Sequence, residues 1–116
     1  MIVQLPYPHK ALWPNGRPHW SEKARETKKH RAWAVLATNA ARRGYTPVFT
    51  DGPIPVRLTV SCKSRGIEPD RDNCLAAAKA YFDGIAQELG INDSLFVHQP
   101  VHFSGRNSNF TIEVGI

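Results

Sequence analysis

The hydrophobic residues change their spacing several times along the chain, and each change predicts a new element. Alternating apolar residues predict short strands over residues 1–5 and 56–62. Two further apolar runs, 96–103 and 110–114, are separated by Ser104-Gly105-Arg106-Asn107, and this pattern predicts a closing β-hairpin. The sequence therefore predicts four strands.

Two longer segments have the apolar spacing of amphipathic helices. The first is predicted from Ser21 to about Arg43, with a stop at Gly44, and the second from about Asp72 to Leu89, with a stop at Gly90. The first helix is expected to bury Trp33, Leu36, Ala37 and Ala40. The apolar stripe of the second consists of Leu75, Ala78, Phe82, Ile85, Ala86 and Leu89.

The predicted order is β-α-β-α-β-β, which is typical of an α+β domain with two helices packed on one face of a small mixed sheet. A chain of 116 residues fits one domain, residues 1–116, and no repeat or linker divides it. The composition, 41% apolar and 22% charged, is ordinary for a globular protein.

Several classes of protein are disfavoured by what the sequence lacks. No apolar run approaches the roughly 20 residues of a membrane span, and the first residues do not resemble a secretion signal. Cys62 and Cys74 are too few for a disulfide framework, so we expect a reducing cytoplasm and no membrane association. With 15 Lys+Arg against 10 Asp+Glu, the net charge is +5 and favours a phosphate-rich partner.

The basic residues gather in a predicted loop, residues 6–20, and in the first half of the first helix. The loop also carries Tyr7, Trp13 and Trp20, a mixture that suits a nucleic-acid surface, although the tryptophans can instead fold back onto the core. The helical cations can equally form a solvated face balanced by Glu22 and Glu26. The candidate DNA-binding residues are Lys10, Arg17, Lys23, Arg25, Lys28, Lys29, Arg31 and, beside the acidic residues, Arg71.

Acidic residues flank the second helix. Asp70 and Asp72 are one residue apart and point the same way in extended backbone, and Asp93 follows the helix. An all-oxygen set of ligands favours Mg²⁺ or Mn²⁺. Such an ion can lower the pKa of a bound water molecule and so make it a nucleophile for a phosphodiester. Lys79 lies about 20° from Asp72 around a continuous helix, and Asp83 follows on the same edge.

Each of these residues also has an ordinary structural interpretation. Asp72 can be a helix N-cap, Asp70 a turn residue and Asp93 a loop carboxylate, while Lys79 and Asp83 can form an i, i+4 ion pair. His98 and His102 have a spacing that would suit zinc on a helix, but their surroundings predict a strand and exposed positions.

The chain resembles the RusA-type Holliday-junction resolvases, which have a D-x-D-N pair, a helix with K-x-x-[aromatic or aliphatic]-D, and then D-D-x-x-[V/F]. The corresponding segments are Asp70-Arg71-Asp72-Asn73, Lys79-Ala80-Tyr81-Phe82-Asp83 and Asn92-Asp93-Ser94-Leu95-Phe96. The similarity covers most of the chain, and residues 70–96 are its specific part.

The resemblance implies a bacterial, phage or prophage endonuclease that resolves branched DNA by paired nicks in recombination and repair. It also implies a homodimer, Mg²⁺ ligation by Asp70, Asp72 and Asp93, and assistance from Lys79 at the scissile phosphate. Phe82 occupies the family's hydrophobic position after the lysine, which the resemblance assigns as a candidate wedge against a base step.

Two positions depart from the family pattern. The lysine of familiar members often lies where this chain has Ala76, and the first acid of the D-D pair is Asn92. A branched-DNA-binding protein with weakened catalysis and a Mg²⁺-dependent phosphodiesterase acting on RNA are therefore the alternative functions.

Overall fold

The computed structural model describes residues 1–43, 52–62 and 68–115. The predicted stop at Gly44 and most of the turn before Pro69 lie outside these residues. The strands are β1 (Ile2–Pro6), β2 (Ile54–Ser61), β3 (Phe96–His98), β4 (His102–Phe103) and β5 (Asn109–Val114). The helices are α1 (Trp20–Arg42), α2 (Arg71–Ala77) and α3 (Lys79–Leu89), with 3-10 turns at Lys10–Leu12 and Asp93–Leu95.

The sheet is mixed, with β5 lying between β1 and β2 and antiparallel to both. In register, Val3 of β1 and Leu58 of β2 both lie opposite Ile112 of β5, and all three are buried on the face that the helices cover. The alternating residues of the opposite face are more exposed. The predicted α+β class is confirmed.

The predicted closing hairpin is wrong. Both β3 and β4 pair with β2 in parallel rather than with β5. Between and after these strands, the Gln99 N–H donates to the Val56 carbonyl at 2.8 Å, and the Ser104 N–H donates to the Val60 carbonyl at 3.0 Å. These bonds hold the segment along the edge of β2, so β5 is free to enter the centre of the sheet.

The burial predicted for α1 is confirmed in part, since Trp33 and Ala37 are partly buried against the core, but its fully buried residues form a different stripe. Its buried residues are spaced four apart: Glu26, His30, Ala34 and Thr38. Leu36 is 69% exposed, and Ala40 is exposed too. The reason is that α1 packs closely on α3 through small residues such as Ala34, and Leu36 lies outside this contact.

The second predicted helix is interrupted. Ala78 separates α2 from α3, and its N–H is shared between the carbonyls of Cys74 and Leu75 at 3.0 and 3.2 Å. The expected stripe is otherwise largely confirmed, because Phe82 and Ile85 are buried, and the helix ends at Gly90 in the left-handed region (φ +68°). Within the described residues, no helix is long and apolar enough to cross a membrane.

The closest approach between α1 and α3 is at Gly84. A Cβ atom added there would lie 2.4 Å from the Arg31 carbonyl oxygen and 2.7 Å from the Ala34 Cβ. The first of these atoms belongs to the backbone and cannot rotate away, so the crossing requires glycine at this position.

We therefore expect Gly84→Ala to destabilise the protein by about 1–3 kcal/mol, through forced separation of the helices. Helix propensity alone predicts the opposite sign, since alanine is favoured over glycine in a helix interior by about 0.5–1 kcal/mol. Chemical denaturation of the two proteins decides between them, and a Gly84→Ala variant more stable than the wild type would contradict the close crossing.

Candidate functional site

Among the described residues, a compact cluster of charged side chains surrounds Lys79 at the first turn of α3. Its ammonium donates to Asp83 Oδ1 at 2.6 Å and to Asp93 Oδ2 at 2.9 Å. Asp83 lies one helical turn further on, as the i, i+4 interpretation predicted. We call Lys79, Asp83 and Asp93 the lysine cluster.

Asp93 reaches Lys79 because the chain reverses sharply after α3. Gly90 takes the left-handed conformation, and the Ile91 N–H donates to the Ala86 carbonyl at 3.0 Å. Asn92 then caps the next 3-10 turn by accepting from the Ser94 N–H, and Asp93 is its first residue. The sequence pattern that ends the helix thus also places a carboxylate beside its beginning.

Mutual hydrogen bonding fixes the charge states of this cluster. The bonds to Asp83 and then Asp93 raise the pKa of Lys79 above its usual range. In turn, the Lys79 ammonium holds the pKa of the Asp93 carboxyl below its usual value, with Asp83 adding to the effect. At neutral pH, Lys79 and Asp93 are both ionised.

Asp70 and Asp72 lie at the other end of the interrupted helix. Asp70 is the N-cap of α2, because its Oδ1 accepts from the N–H groups of Asp72 and Asn73 at 2.8 and 3.2 Å. Asp72 lies in the first turn and is exposed. The interpretation of Asp72 as the N-cap is therefore wrong. Asp72 is helical, so the expectation that both carboxylates project in the same direction from extended backbone is wrong too.

The two acidic groups line separate shallow depressions. Asp70 and Asp72 line one of about 310 Å³ with Glu68 and Phe103. Asp93 lines another of about 540 Å³ with its lysine-cluster partners and Arg31. Asp72 and Lys79 line different depressions, so the angular relation predicted between them does not produce a joint site.

The metal ligands predicted from the sequence are therefore not assembled as a set. Within residues 1–43, 52–62 and 68–115, no three His, Cys, Asp or Glu residues form a group that could hold a metal ion. His98 and His102 lie exposed on β3 and β4. Phe82 is only 4% exposed and packs against Phe96, so its side chain is not available to wedge into DNA.

All eight candidate DNA-binding cations are exposed: Lys10, Arg17, Lys23, Arg25, Lys28, Lys29, Arg31 and Arg71. Three of them also have protein partners. Arg31 donates to Gln87 Oε1 at 2.8 Å, Arg71 donates to the Val101 carbonyl and lies over Phe103, and Lys29 lies over the Trp33 ring. Arg31 lines the depression that contains the lysine cluster. Lys23 lines a neighbouring groove with Lys79 and Asp83, so the basic half of α1 borders the acidic edge of α3.

The aromatic residues of the basic loop differ in whether they pack against the core. Tyr7 and Trp13 stack at 5.3 Å and both pack against Phe110 of the core, as the core-packing interpretation held. Trp20, in contrast, is 77% exposed. The docked part of the loop is tied down further by the Tyr81 hydroxyl, which donates to the Pro6 carbonyl at 2.7 Å.

His30 is a structural residue that the sequence pattern hid among surface cations. Its Nε2 accepts from the His9 N–H at 3.1 Å, and its Nδ1 lies 2.7 Å from the Glu26 carbonyl oxygen. Because a carbonyl only accepts, Nδ1 carries the proton and the ring is neutral. The four-residue spacing of Glu26, His30, Ala34 and Thr38 was the available signal, but two of these residues are charged or titratable.

Comparison with known proteins gives little on function. No family model matches the chain. It is 40% identical over 101 residues to an uncharacterized protein of Xylella fastidiosa strain Temecula1, an alignment that covers 85% of this chain and 64% of that protein. The chain thus spans less than two thirds of its relative's length, and the similarity identifies a bacterial relative without naming an activity.

The lysine cluster generates a prediction about titration. Replacing the cation by Lys79→Met removes the hydrogen bond that lowers the pKa of Asp93, so this pKa is expected to rise toward its ordinary value. Carboxyl carbon NMR measures it directly. Lys23→Met is the control, because Lys23 borders the neighbouring groove, and an unchanged Asp93 titration in Lys79→Met would contradict the contact.

The buried ring of His30 generates a second prediction. Burial lowers its pKa from 6.5, so below that pH the unfolded chain binds the proton more readily and the free energy of unfolding falls. His30→Gln keeps an acceptor for the His9 N–H but does not titrate. Denaturant unfolding at pH 7.5 and 5.5 should show a smaller loss for His30→Gln than for the wild type, and equal losses would contradict this assignment.

Proposed function

We propose that the protein is a metal-dependent endodeoxyribonuclease that nicks branched DNA, and Holliday junctions in particular, in recombination and repair. One observation carries the proposal. Arg31, from the basic half of α1, lines the same depression as the carboxylates of Asp83 and Asp93. A cation of the kind that binds phosphate thus lies beside oxygen donors of the kind that suit a hard metal ion.

The donor chemistry fits Mg²⁺ or Mn²⁺. Oxygens of Asp83 and Asp93 already face one positive group, the Lys79 ammonium, and Asn92 lines the same depression. Asp70 and Asp72 line a separate depression, and their ligation of one ion together with Asp93 is a proposal that rests on the family resemblance. When bound, the ion would lower the pKa of a water molecule and neutralise charge on the leaving oxygen.

The chain's own cations perform the remaining tasks. Lys79 is ionised at neutral pH, and its side chain is 65% exposed. An ammonium has three N–H donors, of which two are used by Asp83 and Asp93, so one remains for a phosphate oxygen. Arg31 and Lys23 flank it and would hold the strand by its backbone, without reading base sequence.

A homodimer would suit the proposed reaction. Resolution of a four-way junction requires two nicks related by two-fold symmetry, and a symmetric dimer presents two identical sites. It would also double the formal charge of +5 and strengthen the attraction to DNA.

Binding of branched DNA without cleavage is the second candidate function. It is favoured by the ion pairs themselves, because Lys79 occupies the carboxylates of Asp83 and Asp93. It is also favoured by the separation of Asp70 and Asp72 from Asp93 into different depressions.

A nicking assay distinguishes these functions. The protein is incubated with a synthetic four-way junction, a matched linear duplex and an RNA of the same sequence, each with Mg²⁺, Mn²⁺ or EDTA. We expect symmetric nicks in the junction alone. Asp72→Asn and Asp93→Asn should lower the rate at least about 100-fold while junction binding persists.

Glu113→Gln is the matched control, since this carboxylate lies on β5 beside Arg57 and outside both depressions. It should cleave as the wild type does. Junction binding without cleavage in either metal would favour the second function, and cleavage of RNA alone would overturn the choice of substrate.

A further inference from the structure

Trp20 is a large apolar side chain that the fold leaves in solvent. It is 77% exposed, whereas Trp13 of the same loop packs against Phe110. Burial of such a ring would stabilise the fold, and Trp20 does not contribute in this way. Within the described residues, the exposed large apolar side chains are Ile2, Trp20, Leu36 and Val97, and Trp20 is the most exposed of them.

The ring of Trp20 is held beside a second ring. His19 is the N-cap of α1, and its Nδ1 accepts from the Ser21 N–H at 3.2 Å and lies 2.6 Å from the Ser21 hydroxyl oxygen. These contacts orient the imidazole, and the Trp20 ring lies against it with 5.5 Å between the centroids. At i+4 from Trp20 is the exposed Ala24, whose methyl group is too small to cover an indole. The two rings therefore form a small aromatic surface that is open to solvent.

Cations share one side of α1 with this aromatic surface. At 100° per residue, Lys23, Thr27 and Arg31 all lie within about 60° of Trp20 around the helix axis, and all are exposed. We call these four residues the tryptophan face. Glu22, the acidic residue of the first turn, lies about 160° away from Trp20 around the axis. The tryptophan face thus combines an aromatic ring with two cationic side chains.

The tryptophan face leads to the lysine cluster. Arg31, at its far end, lines the depression that contains Asp83 and Asp93. At 1.5 Å per residue, Trp20 and Arg31 lie about 16 Å apart along the helix axis. A stacked DNA strand advances about 3.4 Å per nucleotide, so this distance corresponds to about five nucleotides.

An isolated exposed ring with cations beside it suits a nucleic-acid strand with unstacked bases. In such sites the ring stacks on a base and the cations bind the phosphates. A protein or membrane partner would instead require a continuous apolar patch. Ile2 and Val97 lie on strands, and Leu36 lies about 24 Å along α1 and about 160° around it. A second copy of the chain would bring the same cations, which repel one another.

We propose that Trp20 stacks on an unstacked base at the branch point of DNA, while Lys23 and Arg31 hold the phosphates of the strand between that base and the lysine cluster. This inference rests on the proposed function for its choice of DNA and for the position of the nick. Bases next to a branch lack a continuous stack, so they are displaced at lower cost than those of an unbroken duplex. Trp20 would therefore favour branched over linear DNA without reading its sequence.

The first test measures binding of a fluorescein-labelled oligodeoxythymidine in EDTA, so that cleavage plays no part. Trp20→Ala should weaken binding about tenfold, which is within the range for one base–aromatic stack. Trp20→Phe keeps a ring and should weaken binding less. Leu36→Ala is the matched control, because it also truncates an exposed apolar side chain of α1, and it should bind as the wild type does.

Tryptophan emission identifies the ring that stacks. The chain has three tryptophans, Trp13, Trp20 and Trp33, and unlabelled oligodeoxythymidine should quench the emission of the wild type. Trp20→Phe should still bind but lose this quenching, and a merely structural role of Trp20 would not separate the two measurements. Quenching that persists in Trp20→Phe would overturn the inference.

Four-way junctions with a fixed branch connect the stack with the proposed nuclease. Trp20→Ala should weaken binding to the junction about tenfold and leave binding to a matched linear duplex unchanged. Nicks made by the wild type should fall within about five nucleotides of the branch. Quenching by oligodeoxythymidine in a protein that neither binds nor cuts junctions would support the stack and refute the proposed function.

Other outcomes overturn the inference and leave the nuclease proposal intact. Junction cleavage without quenching by oligodeoxythymidine would do so, as would a Trp20→Ala protein indistinguishable from the wild type. Quenching by oligouridine or by phosphatidylserine vesicles, but not by oligodeoxythymidine, would assign Trp20 to RNA or to a membrane surface instead. Self-association in the absence of DNA that Trp20→Ala abolishes would assign it to an interface between copies.

Discussion

The close crossing of α1 and α3 at Gly84 is the contact on which the rest of the structure depends. The Arg31 carbonyl and the Ala34 methyl lie so near that residue 84 has no room for a side chain. The crossing determines where the basic half of α1 meets the acidic edge of α3, and it brings the Arg31 guanidinium to Gln87. A larger residue would separate two surfaces whose proposed function requires proximity.

The same crossing explains why α1 buries polar residues. Small residues at the contact leave room for the His30 ring, which links α1 to the basic loop through the His9 N–H. Glu26 is buried beside it, with Oε1 lacking a hydrogen-bond partner among the described residues and lying 3.8 Å from His30 Nδ1. A buried oxygen without a hydrogen-bond partner lowers the free energy of unfolding. The arrangement that holds the loop therefore reduces the overall stability of the protein.

How far the sequence predicts this structure depends on which interactions decide each feature. Period-two alternation specified β2 and β5 because one face of each is buried, and Gly90 specified the end of α3 because its backbone is left-handed. Strand pairing was not predictable in the same way. The pairing of β4 with β2 depends on backbone bonds from Gln99 and Ser104, which leave no hydrophobic pattern.

The candidate site residues are a prediction from the sequence, and their grouping in space could not be predicted in the same way. The sequence identifies Asp70, Asp72, Lys79 and Asp93, and Asp83 by its spacing. A continuous helix would align Asp72 with Lys79 around its axis, but the seven-residue step also separates them by about 10 Å along it. They line different depressions, a grouping that apolar spacing does not encode.

The charge balance of the lysine cluster links these observations to the proposed function. Two carboxylate side chains share one ammonium there, and Arg31 of α1 lines the same depression. A phosphodiester approaching Arg31 would come close to the ionised Asp93 carboxylate, which opposes its attraction to the cation. A divalent cation beside the cluster would offset that carboxylate, which is the physical reason why the proposed cleavage depends on a metal ion.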